Sequence, residues 1–187
     1  MNPEIKQALL RVLPFVAVLL FMLLAIKRGK IKTNEIGLNK PNSWIQFLFW
    51  GLGFLLFAIV LEVLFYQLGI LEIAPWKNGF FASIIRITGA VILAPIAEEI
   101  MFRGVLLHVL HKKINNLHSA IFLQAVLFVL LHNFAYENTV ATNIGIVQAL
   151  VDASLFGYAR HYTKSLYTPM LMHALGNAVA VFERFIF

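Results

Sequence analysis

The chain has 187 residues, enough for a single domain, and its composition excludes an ordinary water-soluble fold. Hydrophobic residues make up 60% of the chain and charged residues 13%, whereas a typical soluble domain has about 45–50% and about 25%. A domain of this size cannot bury so many apolar side chains, so lipid must cover part of its surface. Cysteine is absent, which excludes disulfides, thiolate nucleophiles and cysteine-ligated zinc.

The net charge of +6 does not by itself indicate a nucleic-acid partner. Lys and Arg cluster between the apolar runs, as they do where positive charge flanks membrane-spanning helices and sets their orientation. The sequence therefore predicts a multi-pass protein of the cell membrane. Its surroundings are the lipid bilayer, and we expect no nucleic acid among its partners.

Apolar segments follow one another along the chain, most of them near the roughly 20 residues that a helix needs to cross a bilayer. They are too long, and alternate too little, for β-strands. We expect six helices, over Ala8–Ile26, Ser43–Tyr66, Gly79–His111, Leu117–Phe134, Asn138–Arg160 and Ser165–Ile186. A tilt, or a bend at Pro95, lets the long third segment cross. The predicted fold is an all-α polytopic transmembrane helix bundle with its active site within the membrane.

Ionisable side chains inside these segments are functional candidates, because inserting each costs at least about 2.5–3.5 kcal/mol. They are Glu62, Arg86, Glu98, Glu99, Arg103, His132, Asp152 and His173. Three pairs have i, i+4 spacing, which places both members on one helix face: Glu99 with Arg103, Phe128 with His132, and His173 with Asn177. Glu98 is turned about 100° from Glu99, so one carboxylate can pair with Arg103 while the other points elsewhere.

These residues resemble three motifs of one membrane-protease family. Residues 94–104, Ala-Pro-Ile-Ala-Glu-Glu-Ile-Met-Phe-Arg-Gly, look like the Glu-Glu-x-x-x-Arg motif of the CAAX protease and bacteriocin-processing family, also called the Abi family. Residues 128–132 resemble its Phe-x-x-x-His motif, and residues 173–177 its His-x-x-x-Asn motif. We therefore expect one transmembrane domain over 1–187, with variable N-terminal helices over 1–78 and the family's catalytic core over 79–187.

The resemblance implies an intramembrane endopeptidase of the glutamate type, acting on a membrane-associated protein or peptide. Glu98 would be the general base that activates water, and His132 would help to hold that water. His173 and Asn177 would stabilise the oxyanion. The chemistry is coherent, because peptide hydrolysis needs a base and donors at the developing oxyanion, and a neutral imidazole and an amide N–H can both donate.

Other residues would support this set. The resemblance gives Glu99 and Arg103 the task of orienting the site, and Phe128 is expected to form a wall of the pocket. Asp152 and Arg86 are expected to pair with each other inside the bundle and to serve structure.

A metal mechanism is a rival to this metal-free arrangement. Glu98, His132 and His173 match the ligands of a catalytic zinc ion, with water in the fourth position. The sequence lacks a His-Glu-x-x-His motif, but ligands can come from different helices. Because one base and one oxyanion pair use the same residues without a metal, we expect no cofactor and keep zinc as the alternative.

Two non-protease functions also fit an apolar bundle with buried polar groups. The first is a non-catalytic membrane protein of the same fold that acts in bacteriocin immunity or regulates a partner. The second is a proton- or ion-coupled transporter, because buried Glu and His side chains can relay protons. No inverted repeat supports the transporter hypothesis.

Overall fold

The structure is a computed structural model that describes residues 1–132, 136 and 139–186. All regular secondary structure in these residues is helical. The helices, numbered along the chain, are α1 Pro3–Lys27, α2 Thr33–Ile36, α3 Trp44–Gln67, α4 Phe80–Ile114, α5 Leu117–Leu130, α6 Val140–Thr163 and α7 Tyr167–Ile186. The predicted all-α polytopic bundle is therefore confirmed.

Four of the helices, α1, α3, α4 and α6, are long and apolar enough to cross a membrane. Helix α5 has 14 residues, which span about 21 Å at 1.5 Å per residue, less than the roughly 30 Å of bilayer hydrocarbon. Helix α7 has 20 residues but does not belong to the group of four, and its sequence carries His173, Asn177, Glu183 and Arg184.

Polar caps set several helix boundaries. The side chains of Asn2, Ser43, Asn116 and Thr139 each accept a hydrogen bond from a backbone N–H in the first turn of the helix that follows. Helix α1 begins earlier than predicted because Asn2 caps it and a proline follows in its first turn. The predicted end of α5 at Phe134 and start of α6 at Asn138 lie outside the described residues.

Two connections differ from the expected plan. The loop after α1 contains the short helix α2, which no apolar run predicts, and α2 ends at Gly37 with φ at 81°. In that left-handed region glycine avoids the steric cost of a Cβ. Helix α4 continues past Pro95 without a break and packs against α1, α2, α5, α6 and α7, so it lies at the centre of the bundle.

Helix α4 accommodates Pro95 through a π-helical turn. Proline has no N–H and clashes with the carbonyl four residues before it in an α-helix. The preceding turn, Gly89–Leu93, is π-helical, and Ala94 N–H donates to the Gly89 carbonyl five residues back. The next donor in that register would be Pro95, so the Ala90 carbonyl receives no backbone hydrogen bond from it. A second π-helical stretch, Ile100–Leu106, follows in the same helix, and such turns are frequent at functional sites.

Glycines allow α3 and α7 to pack closely. A Cβ placed on Gly51 of α3 would lie 2.6 Å from Leu171 Cδ2, and one on Gly176 of α7 would lie 3.1 Å from Phe54 Cε1. Each helix therefore inserts a large side chain over a glycine of the other, as small residues permit at membrane helix interfaces. Phe54 is also part of a buried cluster with Phe156 of α6, so α3, α6 and α7 share one core.

Replacing Gly51 by valine should destabilise the fold, whereas the same change at Gly53 should not. Both glycines lie in α3, so the two valines change helix propensity equally. A Cβ at Gly51 meets Leu171, while one at Gly53 has nothing within 4 Å. Overpacking typically costs about 1–3 kcal/mol. Unfolding by SDS in mixed micelles, followed by circular dichroism, should show a lower midpoint for Gly51→Val alone. Equal midpoints for the two variants would contradict this packing.

Candidate active site

A buried ion pair lies at the centre of the site. Arg103 Nη1 donates to Glu99 Oε1 at 2.8 Å, and neither side chain has exposed surface. Arg103 Nη2 also donates to the Ala153 carbonyl of α6 at 3.3 Å. The guanidinium carbon lies 4.6 Å from the ring centroid of Phe128 and 5.1 Å from that of Phe156. Hydrogen bonds and aromatic faces together reduce the cost of burying the charge, although Arg103 Nε and Glu99 Oε2 are buried without a hydrogen bond. The same contacts tie α4 to α5 and α6.

Glu99 also orients His173. His173 Nδ1 lies 2.9 Å from the same Glu99 Oε1, and because an ionised carboxylate can only accept, Nδ1 must carry the hydrogen. The ring stacks on Phe156 at 5.5 Å between centroids. Its other nitrogen, Nε2, lies 3.8 Å from Glu98 Oε2. The two adjacent carboxylates thus contact opposite edges of one imidazole.

A hydrogen bond to Nδ1 also orients His132, which lies two residues after the end of α5. Its Nδ1 lies 2.8 Å from the Phe128 carbonyl oxygen, which can only accept, so Nδ1 donates and Nε2 is an acceptor in the neutral ring. The Phe128 ring lies 4.6 Å from the His132 ring and 6.3 Å from that of His173, so it forms a wall between them. Both imidazoles interact electrostatically with Glu98. In the neutral form, Nε2 of His132 and Nε2 of His173 are therefore both hydrogen-bond acceptors. The sequence had instead led us to expect a neutral imidazole that donates to the oxyanion.

Asn177 binds the carbonyl that the proline leaves open. Its Nδ2 donates to the Ala90 oxygen at 2.7 Å, the oxygen that Pro95 cannot serve in the π-helical register. One amide hydrogen is used in this bond, and the second N–H of the same nitrogen remains for another acceptor. Asn177 thus holds α7 against the π turn of α4 and still has a donor to offer.

The predicted catalytic residues share one region of the bundle. His132 and Asn177 line a cleft of about 770 Å³ together with Ala94, which lies one helical turn before Glu98 on the same face of α4. The Glu98 side chain is 18% exposed and that of His173 is 11% exposed, so neither is sealed inside the bundle. The buried Glu99 and Arg103 lie behind them.

The three candidate zinc ligands, Glu98, His132 and His173, are not arranged around a common point. Among the residues that the structure describes, no group of three or more His, Asp or Glu side chains is arranged to hold a metal ion. Glu98 and His173 are neighbours, but His132 does not complete a cluster with them. As placed here, the three side chains do not fit a zinc ion.

The expected pair between Arg86 and Asp152 does not form. Arg86 lines the cleft beside His132, whereas Asp152 lines a different pocket on α6 and interacts electrostatically with His173 and Arg103. The expectation was wrong because α6 meets α4 at Arg103, roughly 25 Å along the helix from Arg86 at 1.5 Å per residue.

Two residues of the site were not predicted from the sequence. Gln124 is fully buried on α5, and its Nε2 donates to the Ala153 carbonyl at 3.0 Å, the same oxygen that Arg103 contacts. Its position one turn before Phe128, which is itself one turn before His132, was a usable signal. Phe156 contacts both His173 and Arg103, but no sequence signal separates it from the other 16 of 17 phenylalanines.

Comparison with known proteins agrees with the class suggested by the motifs. A family model described as type II CAAX prenyl endopeptidase Rce1-like matches residues 79–179, more than half of the chain and all the predicted site residues. The fold and this match define a membrane protease of the CAAX type. The chain belongs to the Rce1-like family, which confirms the resemblance drawn from the three motifs. Neither curated proteins nor solved structures gave a match.

The contact between Asn177 and the π turn predicts a measurable coupling. Asn177→Ala removes this hydrogen bond from the half-buried Ala90 carbonyl, at a cost toward the lower end of about 1–3 kcal/mol. In a Pro95→Ala background the new N–H can donate to that carbonyl, so the same Asn177 substitution should cost clearly less. Unfolding of the wild type, both single variants and the double variant measures the coupling. Equal costs in the two backgrounds would contradict the role given to Pro95.

Proposed function

We propose that this protein hydrolyses a peptide bond in a membrane-associated protein or peptide, with Glu98 as the general base. The observation that carries the proposal is the 3.8 Å approach of Glu98 to His173 Nε2, beside a cleft that His132 and Asn177 line. Glu99 already accepts hydrogen bonds from Arg103 and His173. Glu98 is therefore the carboxylate of the pair that is partly exposed and can exchange a proton.

Water activation requires two acceptors near one site. The Glu98 carboxylate accepts one hydrogen of the water, and Nε2 of neutral His132 accepts the other, since its Nδ1 is bound to the Phe128 carbonyl. The oxygen lone pair is then directed at the substrate. As the oxygen attacks the carbonyl carbon, its proton passes to Glu98 and the carbonyl π electrons move onto the oxygen, giving a tetrahedral oxyanion.

Two donors remain for the oxyanion. One is the second N–H of Asn177, whose first N–H is bound to Ala90. The other is Nε2–H of His173, and it exists only in the imidazolium form because Nδ1 already holds the hydrogen bound to Glu99. The oxyanion then collapses, the C–N bond breaks, and Glu98 returns its proton to the leaving amine. Donors held in place before reaction are the usual source of oxyanion stabilisation.

The surroundings suit a substrate that is itself in the membrane. A groove of about 910 Å³ between α1, α4 and α5 is lined almost entirely by apolar side chains, including Phe21, Met101 and Phe102. The ring of Phe102 lies 5.0 Å from that of Phe128, the wall of the site. The apolar part of a membrane-associated substrate would fit there, with its peptide bond beyond the two rings.

Glu98→Gln should abolish hydrolysis while leaving the fold intact, because glutamine keeps the shape but cannot accept a proton. Loss of a general base lowers rates by about 10²–10⁴-fold. Peptides from cells that express the wild type or Glu98→Gln should differ in a defined set of cleavage products. Glu72→Gln, an exposed change between α3 and α4, is the matched control and should process them normally.

Two outcomes would separate the rival functions. If Glu98→Gln yields the same products as the wild type, the catalytic assignment is wrong and a non-catalytic role in bacteriocin immunity or partner regulation gains support. Purified protein that cleaves its substrate equally with and without EDTA supports the metal-free mechanism. Activity lost in EDTA and restored by zinc would instead support a metal site formed by Glu98, His132 and His173.

A further inference from the structure

One end of the bundle is rich in basic side chains. It comprises the loop between α1 and α3, the turn between α4 and α5, and the turn between α6 and α7. Hydrogen bonds join the loop to the α6–α7 turn, because Ser165 Oγ donates to the Asn39 carbonyl at 2.6 Å and Asn39 Nδ2 to the Lys164 carbonyl at 3.0 Å. Residues 100–136 and 153–182 of the sequence include no acidic residue, so neither turn supplies a negative charge.

A basic cluster, consisting of His111, His118, Arg160, His161 and Lys164, lies at this end between α4, α5 and α6. His161, in the last turn of α6, interacts electrostatically with each of the other four members. No acidic side chain of the described residues is among its electrostatic partners. Each positive charge in such a group disfavours the next one, so an anion from outside the chain would relieve the repulsion.

The loop between α1 and α3 covers Arg160 without neutralising it. Arg160 Nη2 lies 3.5 Å from the Glu35 carbonyl oxygen, and a Cβ on Gly37 would overlap the guanidinium group. The Glu35 carboxylate instead forms an ion pair with Lys32 at 3.2 Å. Backbone rather than a carboxylate therefore contacts this guanidinium, and its charge adds to the potential of the basic cluster.

A row of aromatic rings runs from α3 to the basic cluster. Trp50 of α3 stacks on Tyr162 of α6 at 6.4 Å between centroids, and Tyr162 stacks on Tyr158 at 6.4 Å. The Tyr158 hydroxyl oxygen lies 2.7 Å from His118 Nδ1. Trp and Tyr concentrate at the depth of lipid headgroups, so the row places the cluster at that depth. In protonated His118, Nδ1–H donates to Tyr158 and Nε2–H is directed to an outside acceptor.

We propose that the basic cluster binds the phosphate of an anionic phospholipid such as phosphatidylglycerol. The phosphate would lie among His118, His161 and Lys164, where it supplies the negative charge that the chain lacks. Basic pockets between membrane helices suit such headgroups. Phe122, one turn after His118 on the same face of α5, is 61% exposed and would contact an acyl chain. The site is separate from the proposed hydrolytic residues, so neither proposal depends on the other.

Quenching of Trp50 fluorescence by brominated lipids measures binding at the basic cluster. The chain has three tryptophans, so the Trp44→Phe/Trp76→Phe protein retains Trp50 alone. The full-length protein is reconstituted in phosphatidylcholine bilayers that contain increasing amounts of brominated phosphatidylglycerol or brominated phosphatidylcholine. At about pH 6, where imidazoles gain charge, the phosphatidylglycerol should bind at least about fivefold more tightly, since one basic side chain near an anionic headgroup contributes about that factor.

Substitutions within the basic cluster should remove this preference. His118→Gln/His161→Gln/Lys164→Gln should bring the ratio of the two binding constants close to one. The matched control, Lys27→Gln/Arg28→Gln, removes two exposed positive charges at the end of α1 and should keep the preference. Lys164→Gln alone should lower the preference and Lys164→Arg should retain it, which tests the cluster even if the triple variant fails to fold.

Four results would overturn the proposal. The first is equal quenching by the two brominated lipids in the protein with an intact cluster. The second is a control variant that loses the preference as fully as the cluster variant, which would show diffuse attraction to a positive surface. The third is equal preference in Lys164→Gln and Lys164→Arg. The fourth is a preference abolished by inorganic phosphate but not by sodium chloride at the same ionic strength, which would assign the cluster to free phosphate.

Discussion

The buried ion pair between Glu99 and Arg103 is the contact on which the rest of the site depends. Both charges are removed from water, and removing one partner of such a pair typically costs about 3–5 kcal/mol because the other charge is left uncompensated. Arg103 also contacts the Ala153 carbonyl and two aromatic faces, while Glu99 accepts a hydrogen bond from His173. One pair on α4 therefore sets the positions of groups on α5, α6 and α7.

Adjacent carboxylates have different tasks because consecutive residues of a helix point in directions about 100° apart. Glu99 points inward and is fully buried, whereas Glu98 is partly exposed and lies 3.8 Å from the other nitrogen of His173. This division supports a mechanism in which one carboxylate stays ionised to hold the imidazole and its neighbour exchanges protons with water. A single carboxylate could not do both, because the proton it received would break its bond to the imidazole.

Hydropathy and spacing were sufficient to predict the long helices and the pairing of Glu99 with Arg103, since both depend on local periodicity. The features that they could not predict depend on how one helix lies against another. The bond from Asn177 to Ala90 and the separation of Arg86 from Asp152 both follow from helix register across the bundle. The π turn before Pro95 was missed because a proline in an apolar run equally permits a bend.

The protonation pattern of His173 tests the central claim most directly, because it reports the Glu99 contact itself. Nitrogen NMR of ¹⁵N-histidine-labelled protein, with a His173→Gln variant to assign the signal, distinguishes a protonated from an unprotonated ring nitrogen. We predict that Nδ1 carries hydrogen and donates it to Glu99, and that Glu99→Gln alters this pattern. A neutral ring with hydrogen on Nε2 and none on Nδ1 would contradict it.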